Sequence, residues 1–306
     1  MSTPKIQRIA IVGFGEVGGI FGPDFSRQGI DVSVFDILLH STESRAAMLA
    51  KARECGVRAS ESLADCVQGA ELVISAVTAS SSLDVARDAS PILQPGQVFM
   101  DINSVSPGTK RGVASHIDRG HGRFVESAVM APVPGLRLKV PMLLGGAHAA
   151  ELVPQLESMG MNAKPVSESI GVASAVKMCR SVMIKGIEAL AVESMFAARR
   201  YGAEDAVLAS LAATYPQMGW QEKLPDYLIS RVAEHGRRRA AEMREVAQAL
   251  RDVGIDPLMA EATAQRQDAL VAEMADRAIQ YKTKTPFSWK ALADAISNAL
   301  KSSKTE

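Results

Sequence analysis

The chain has 306 residues, with 34 lysines and arginines against 34 aspartates and glutamates and a net charge of zero at pH 7. Single cores stop growing at about 250–300 residues, so two are expected, and the balanced charge gives no net field to draw the protein onto nucleic acid or an anionic membrane. Three cysteines with neither metal-ligand nor disulfide-framework spacing, no signal-peptide pattern, and no apolar run near the roughly 20 residues of a membrane span point to the cytoplasm and a small-molecule partner.

The first segment, RIAIVGFGEVGGIFGPDFSRQGIDVSVFD (8–36), reads as strand, tight turn, helix and strand. Gly13, Gly15 and Gly18 form G-x-G-x-x-G: the first permits the turn, the second lets a pyrophosphate approach the backbone, and the third lets helix and strand pack closely. The turn Gly13, Phe14, Gly15, Glu16, Val17 and Gly18 then opens a helix whose free N–H groups would face the phosphates. Asp36, at the end of the second strand, is placed to accept hydrogen bonds from ribose hydroxyls and to repel a 2′-phosphate, which favours NAD over NADP. The competing reading is that His40, Ser41, Thr42 and Arg45 cradle that phosphate while Asp36 turns away.

Further strands are expected at ELVISAV (71–77), QVFMDINS (97–104), RFVESAV (123–129) and PMLLGG (141–146), alternating with helical or turn-rich stretches. This alternation predicts an α/β Rossmann domain with a mainly parallel sheet, covered on both faces. Ligands would sit at the carboxyl ends of its strands, where Val77 and Thr78, Asn103 and Ser104, and the AVMAPVPG segment containing Met130 would lie.

Beyond residue 166 the signals become helical: a long helix over 171–200, then helices near 203–214, 224–234, 236–252, 257–280 and 288–300, with a frayed tail KSSKTE. The expected organisation is a dinucleotide-binding domain over 1–166 and an all-α substrate and dimerisation domain over 167–306, joined by the long helix. Thirty helical residues extend about 45 Å, more than a small domain covers, so a homodimer is expected. The five histidines are scattered and form no metal-binding motif. Within the long helix, GVASAVKMCRS (171–181) carries one lysine, Lys177, among small and apolar residues. Taken alone, such a lysine lays its stem on apolar surface and lets its ammonium reach water.

Three motifs stand in order: G-F-G-E-V-G (13–18), D-I-N-S-V-S-P (101–107) and G-V-A-S-A-V-K (171–177). Together they resemble the β-hydroxyacid dehydrogenase superfamily, which includes 3-hydroxyisobutyrate and 6-phosphogluconate dehydrogenases. The resemblance implies an NAD-dependent oxidoreductase that moves a hydride between nicotinamide and a small anionic hydroxy or oxo acid. In that family the lysine of the third motif is the catalytic acid/base, and the match falls on Lys177. Where the family has asparagine one turn later, this chain has Ser181.

The family's D-A-P-V-S-G-G segment aligns with E-S-A-V-M-A-P (126–132), so Met130 replaces the substrate-binding serine; Asn103-Ser104 stands where Ser-Thr is usual. The family's Lys-Asp pair falls on Ala241 and Glu242, while HGRRRAAEMRE (235–245) offers His235 and Arg239 as anchors for an anionic substrate. That segment resembles a branch named for phosphogluconate dehydrogenase, but true 6-phosphogluconate dehydrogenases are considerably longer, and that substrate is not adopted. Two alternatives remain: an imine reductase, a group that generally lacks the lysine, and a non-catalytic dinucleotide-binding protein. Lys185, two turns beyond Lys177, is expected to be structural or exposed.

Overall fold

In a computed structural model of the chain, residues 6–281 and 286–302 are described; of the tail KSSKTE, the last four residues lie outside them. The chain divides into two compact units, Met1–Lys177 and Met178–Glu306. The division falls inside the long helix, whereas the sequence places the boundary at 166/167.

The first unit is built on an eight-stranded sheet of order β3-β2-β1-β4-β5-β6-β7-β8. β1 (Arg8–Val12), β2 (Asp31–Phe35), β3 (Arg58–Ala59), β4 (Leu72–Ser75), β5 (Val98–Asp101) and β6 (Arg123–Val129) run parallel. β7 (Pro141–Gly145) turns antiparallel against β6, and β8 (Asn162–Ser167) follows β7 in parallel. Interposed are α1 (Glu16–Ser26), α2 (Arg45–Glu54), α3 (Leu63–Val67), α4 (Ser82–Ala89), α5 (Pro107–Asp118), the single turn α6 (Val133–Leu136) and α7 (Ala149–Ser158).

Alternation along β1 shows why both faces are covered. Ile9 and Ile11 pack with Phe21 and Phe25 in one core cluster, while Ala10 and Val12 pack with Val73 and Phe99 in another. The strand order reverses at β1, between β2 and β4, so the crevice outside the carboxyl ends of β1 and β4 is where such a sheet takes a ligand.

The long helix is α8 (Val172–Tyr201), and the second unit adds α9 (Glu204–Thr214), α10 (Leu224–Arg251), α11 (Leu258–Asp276) and α12 (Trp289–Ser302). Met195, Ile229, Val232, Leu270 and Ile296 form one core cluster here; Ala240, Met243, Ala247 and Ala264 form a second, close-packed one. The expected helices at 224–234 and 236–252 are one helix of 28 residues. Gly236 does not break it; a Cβ there would stand 2.9 Å from the carbonyl oxygen of Gln267, so its bareness lets α11 approach. The helix expected over 257–280 stops at Asp276, with Ala278 in the left-handed region (φ 51°). Among the described residues no helix is long and apolar enough to cross a membrane.

Candidate functional site

The glycine turn follows β1 directly. Gly13 has φ 95°, and a Cβ on it would collide with the carbonyl oxygen of Ala76 in the loop after β4. Gly18, in α1, would likewise collide with the carbonyl of Gly13, whereas a Cβ on Gly15 would meet nothing within 4 Å. Thus two glycines serve close packing, and the middle one leaves open space where a bound group can approach. α1 begins at Glu16 with no side-chain cap on its first turn, so its leading N–H groups remain available to an anion.

Asp36 stands at the end of β2. Its Oδ2 accepts a hydrogen bond from the Phe14 N–H at 2.8 Å and its Oδ1 accepts one from the Leu38 N–H at 3.0 Å. Each oxygen keeps a further lone pair, so the carboxylate is fixed beside the turn and can still accept from a diol. Arg45, the cation of the competing 2′-phosphate reading, donates to both carboxylate oxygens of Glu61 at 3.0 and 3.1 Å and to the Leu39 carbonyl.

One contributor to this turn escaped the sequence reading. The Lys51 Nζ, from α2, donates to the carbonyls of Phe14 at 2.6 Å and Gly15 at 2.9 Å and lies 4.5 Å from the centre of the Phe14 ring. In a trans peptide the N–H points opposite to the C=O, so holding those two carbonyls toward α2 turns the next two N–H groups away from it.

The loops after β4 and β5 are tied together beneath their surface. The Asn103 Oδ1 accepts the Val77 N–H at 2.7 Å, and its amide donates to Ser75 and Ser82 at 3.0 and 3.3 Å. Asn103 is therefore a strut whose side chain is occupied by the loops, with Ser104 beside it half-buried and Thr78 exposed. Below the strut, the fully buried Lys110 donates to the Asp101 carbonyl at 2.7 Å and pairs with its carboxylate at 3.2 Å. Met130, half-buried, follows β6, its N–H held by the Pro141 carbonyl.

Lys177 is half-buried in the second turn of α8, and Ser181 is buried one turn further on. Within the second unit, His235 is half-buried with its imidazole held below its usual pKa chiefly by burial. Arg239 is buried and grips Glu188 side-on through one edge, Nε at 2.8 Å and Nη2 on both carboxylate oxygens. Lys185 is buried and pairs with Glu242 at 2.5 Å; burial lowers its pKa while Glu242 pulls it back up. Of the two outcomes expected for Lys185, exposure is not the one observed.

Residues 8–167 match the NAD-binding domain of 6-phosphogluconate dehydrogenase, and residues 198–270 match DUF1932, a domain of unknown function. The chain belongs to the β-hydroxyacid dehydrogenase superfamily. Its members are NAD(P)-dependent oxidoreductases. This superfamily chain is 30% identical over 261 residues to a 28.5 kDa protein of Methanothermus fervidus encoded in the 7S RNA 5′ region, covering 84% of this chain and 96% of that one. A conserved protein of Sinorhizobium meliloti 1021 shares its structure at TM-score 0.79 and 35% identity, over 97% of each chain. The 3-hydroxyisobutyrate dehydrogenase of Pseudomonas aeruginosa is 26% identical over 210 residues, 66% of this chain and 68% of the relative. A reductive aminase of Aspergillus terreus, solved with NADPH, shares the fold at TM-score 0.55 and 15% identity, over 95% and 99% of the two chains.

Proposed function

We propose that this protein is an NAD-dependent dehydrogenase that exchanges a hydride between nicotinamide and the carbinol carbon of a small anionic hydroxy acid. The observation that carries the reading is the single lysine on the early turns of α8, in a sequence that matches the superfamily's catalytic motif, in a chain whose first unit has an open glycine turn beside a fixed carboxylate. Residues 1–166 would hold the dinucleotide through the turn Gly13 to Gly18, Asp36, Val77, Thr78, Asn103 and Ser104; residues 167–306 would serve substrate and dimerisation. The nicotinamide, when bound, supplies the hydride acceptor. Oxidation of a carbinol leaves an O–H proton, which the Lys177 amine removes and returns in reduction. Ser181, one turn along the same helix, offers a hydroxyl to orient the substrate, and Met130 supplies an apolar wall. His235 and Arg239 anchor the anionic end; Arg239 gives Nε and Nη2 to Glu188 and keeps the Nη1 edge. Its three free cysteines suit a cytoplasmic protein.

Screening 3-hydroxy acids with NAD, starting from 3-hydroxyisobutyrate and L-serine and followed by amines, tests the reaction class. Turnover of an amine but of no hydroxy acid would move the protein to the reductive-aminase class, and turnover of neither would leave a binding protein. On the coenzyme, NAD is expected to bind more tightly than NADP, since Asp36 would meet the 2′-phosphate as like charge meets like. Asp36→Ala should narrow the gap. Equal or tighter NADP binding to the unmodified protein in isothermal titration would overturn the assignment.

A homodimer through α8 is part of the same reading. Val176, Met183 and Leu190 are exposed on this helix at seven-residue intervals, the spacing of a helix-helix seam. Light scattering should give twice the chain mass at micromolar concentration, and a monomer there would refute it.

A further inference from the structure

Glu126 lies in the middle of β6 and has no exposed surface. A charge in that position needs partners, and it finds them at the start of α8. Its Oε1 accepts hydrogen bonds from the N–H groups of Gly171 at 2.7 Å and Ala173 at 3.2 Å, and its Oε2 accepts one from the Ser174 hydroxyl at 3.0 Å. The first N–H groups of a helix have no partner within it, and Gly171, at φ 103°, has no side chain with which to cap them. A strand therefore supplies the cap, and its negative charge meets the positive end of the helix dipole. The site is shaped for it. Opposite Glu126 in the register of β6 and β7 stands Gly145, where a Cβ would collide with the carboxylate. A Cβ on Gly171 would press on the Arg111 guanidinium at 2.9 Å and on Pro107 at 3.2 Å.

The residues held by this carboxylate are the ones beneath Lys177. Ala173 and Ser174 precede it by four and three positions, so they lie on the same helix face one turn back. Helical side chains also lean toward the N-terminus, which sets the Lys177 stem over that very turn. We infer that Glu126 is the positioning residue for Lys177: by clamping Gly171, Ala173 and Ser174 to the sheet, it fixes the height and rotation at which the lysine leaves the helix. The inference rests on the proposed acid/base role of Lys177, and the test keeps the two apart.

Glu126→Ala releases the clamp, whereas Glu126→Gln keeps its shape and an acceptor oxygen. With the hydroxy acid giving the highest rate in the screen, Glu126→Ala should lower kcat by up to about 10²-fold, the scale for misplacing a catalytic group by roughly 1 Å. Glu126→Gln should recover most of that loss, and NAD affinity should hold in both. In a Lys177→Ala background, Glu126→Ala should cost nothing further. Multiplying effects would show Glu126 to be a stability element only and overturn the inference while leaving the lysine catalytic. Full turnover in Lys177→Ala would instead overturn the lysine's role and this inference with it. A readout free of substrate is the ¹³C resonance of reductively methylated Lys177, identified by its loss in Lys177→Ala. It should move in Glu126→Ala, while the Lys51 resonance stays. If Glu126→Ala does not fold, Glu126→Asp keeps the charge but draws the turn one methylene closer. An unmoved Lys177 resonance in Glu126→Asp would equally overturn the proposal.

Discussion

Replacing Arg239 with alanine is expected to destabilise the helical unit by about 3–5 kcal/mol, the scale for stripping one partner from a buried ion pair. Glu188, with 2% of its side chain exposed in the unmodified chain, would lose the guanidinium against it. Burial already pushes its carboxyl above the usual range, and Arg239 is the chief group pulling it back down. Both tryptophans of the chain, Trp220 and Trp289, are buried in this unit, so their fluorescence follows its denaturant midpoint without interference from the first unit. The companion double variant Glu188→Leu with Arg239→Met removes both charges at similar volume and should recover most of the loss. If the single variant unfolds at the wild-type midpoint, the pair contributes no stability and the bidentate grip has been misread. The double variant also isolates the substrate role of Arg239: with stability restored, a raised KM would remain if its Nη1 edge holds the substrate anion.

What was legible in the sequence follows from the range over which each signal acts. The glycine turn, Asp36 and the strands at 72–75, 98–101, 123–129 and 141–145 come from local periodicity and spacing, and the mainly parallel, doubly covered sheet follows from their alternation with helices. β3 has two residues, too few for a period, and β8 reads NAKPVS, polar and proline-bearing as an outermost strand can be. The helices expected at 224–234 and 236–252 are continuous, and composition cannot show that α11 passes over Gly236. The buried charges were hardest to see. Nothing near position 51 in the sequence says that a lysine will reach back to Phe14 and Gly15, and Lys110, Asp101, Glu188 and Arg239 become partners only through tertiary packing. Glu126 did leave a trace, as the one acid within RFVESAV, and a charge in a strand buried on both faces demands a partner somewhere.

Lys177→Ala is expected to lower turnover by about 10²–10⁴, the usual contribution of a general acid/base. In barrier terms this is roughly 3–5 kcal/mol. The fold should be little affected, because Lys177 is only half-buried and the carboxylate of Glu126 holds the turn below it whatever side chain stands at 177. NAD affinity should also hold, since the glycine turn, Asp36 and Lys51 form a network of their own within the first unit. Ser181→Ala, which removes one hydroxyl from the next turn, should cost less. Lys185 is the sharpest comparison: same helix, same residue type, two turns away. Its ammonium is matched to Glu242, so Lys185→Ala should lower the tryptophan-monitored midpoint while leaving kcat per folded molecule near wild type. The two lysines thus separate along different axes, one by rate and one by stability, measured on the same preparations with the best hydroxy acid of the screen. Wild-type turnover in Lys177→Ala, or an equal loss of kcat in Lys185→Ala, would return Lys177 to the reading its local sequence suggests, a stem lying on apolar surface with its ammonium in water.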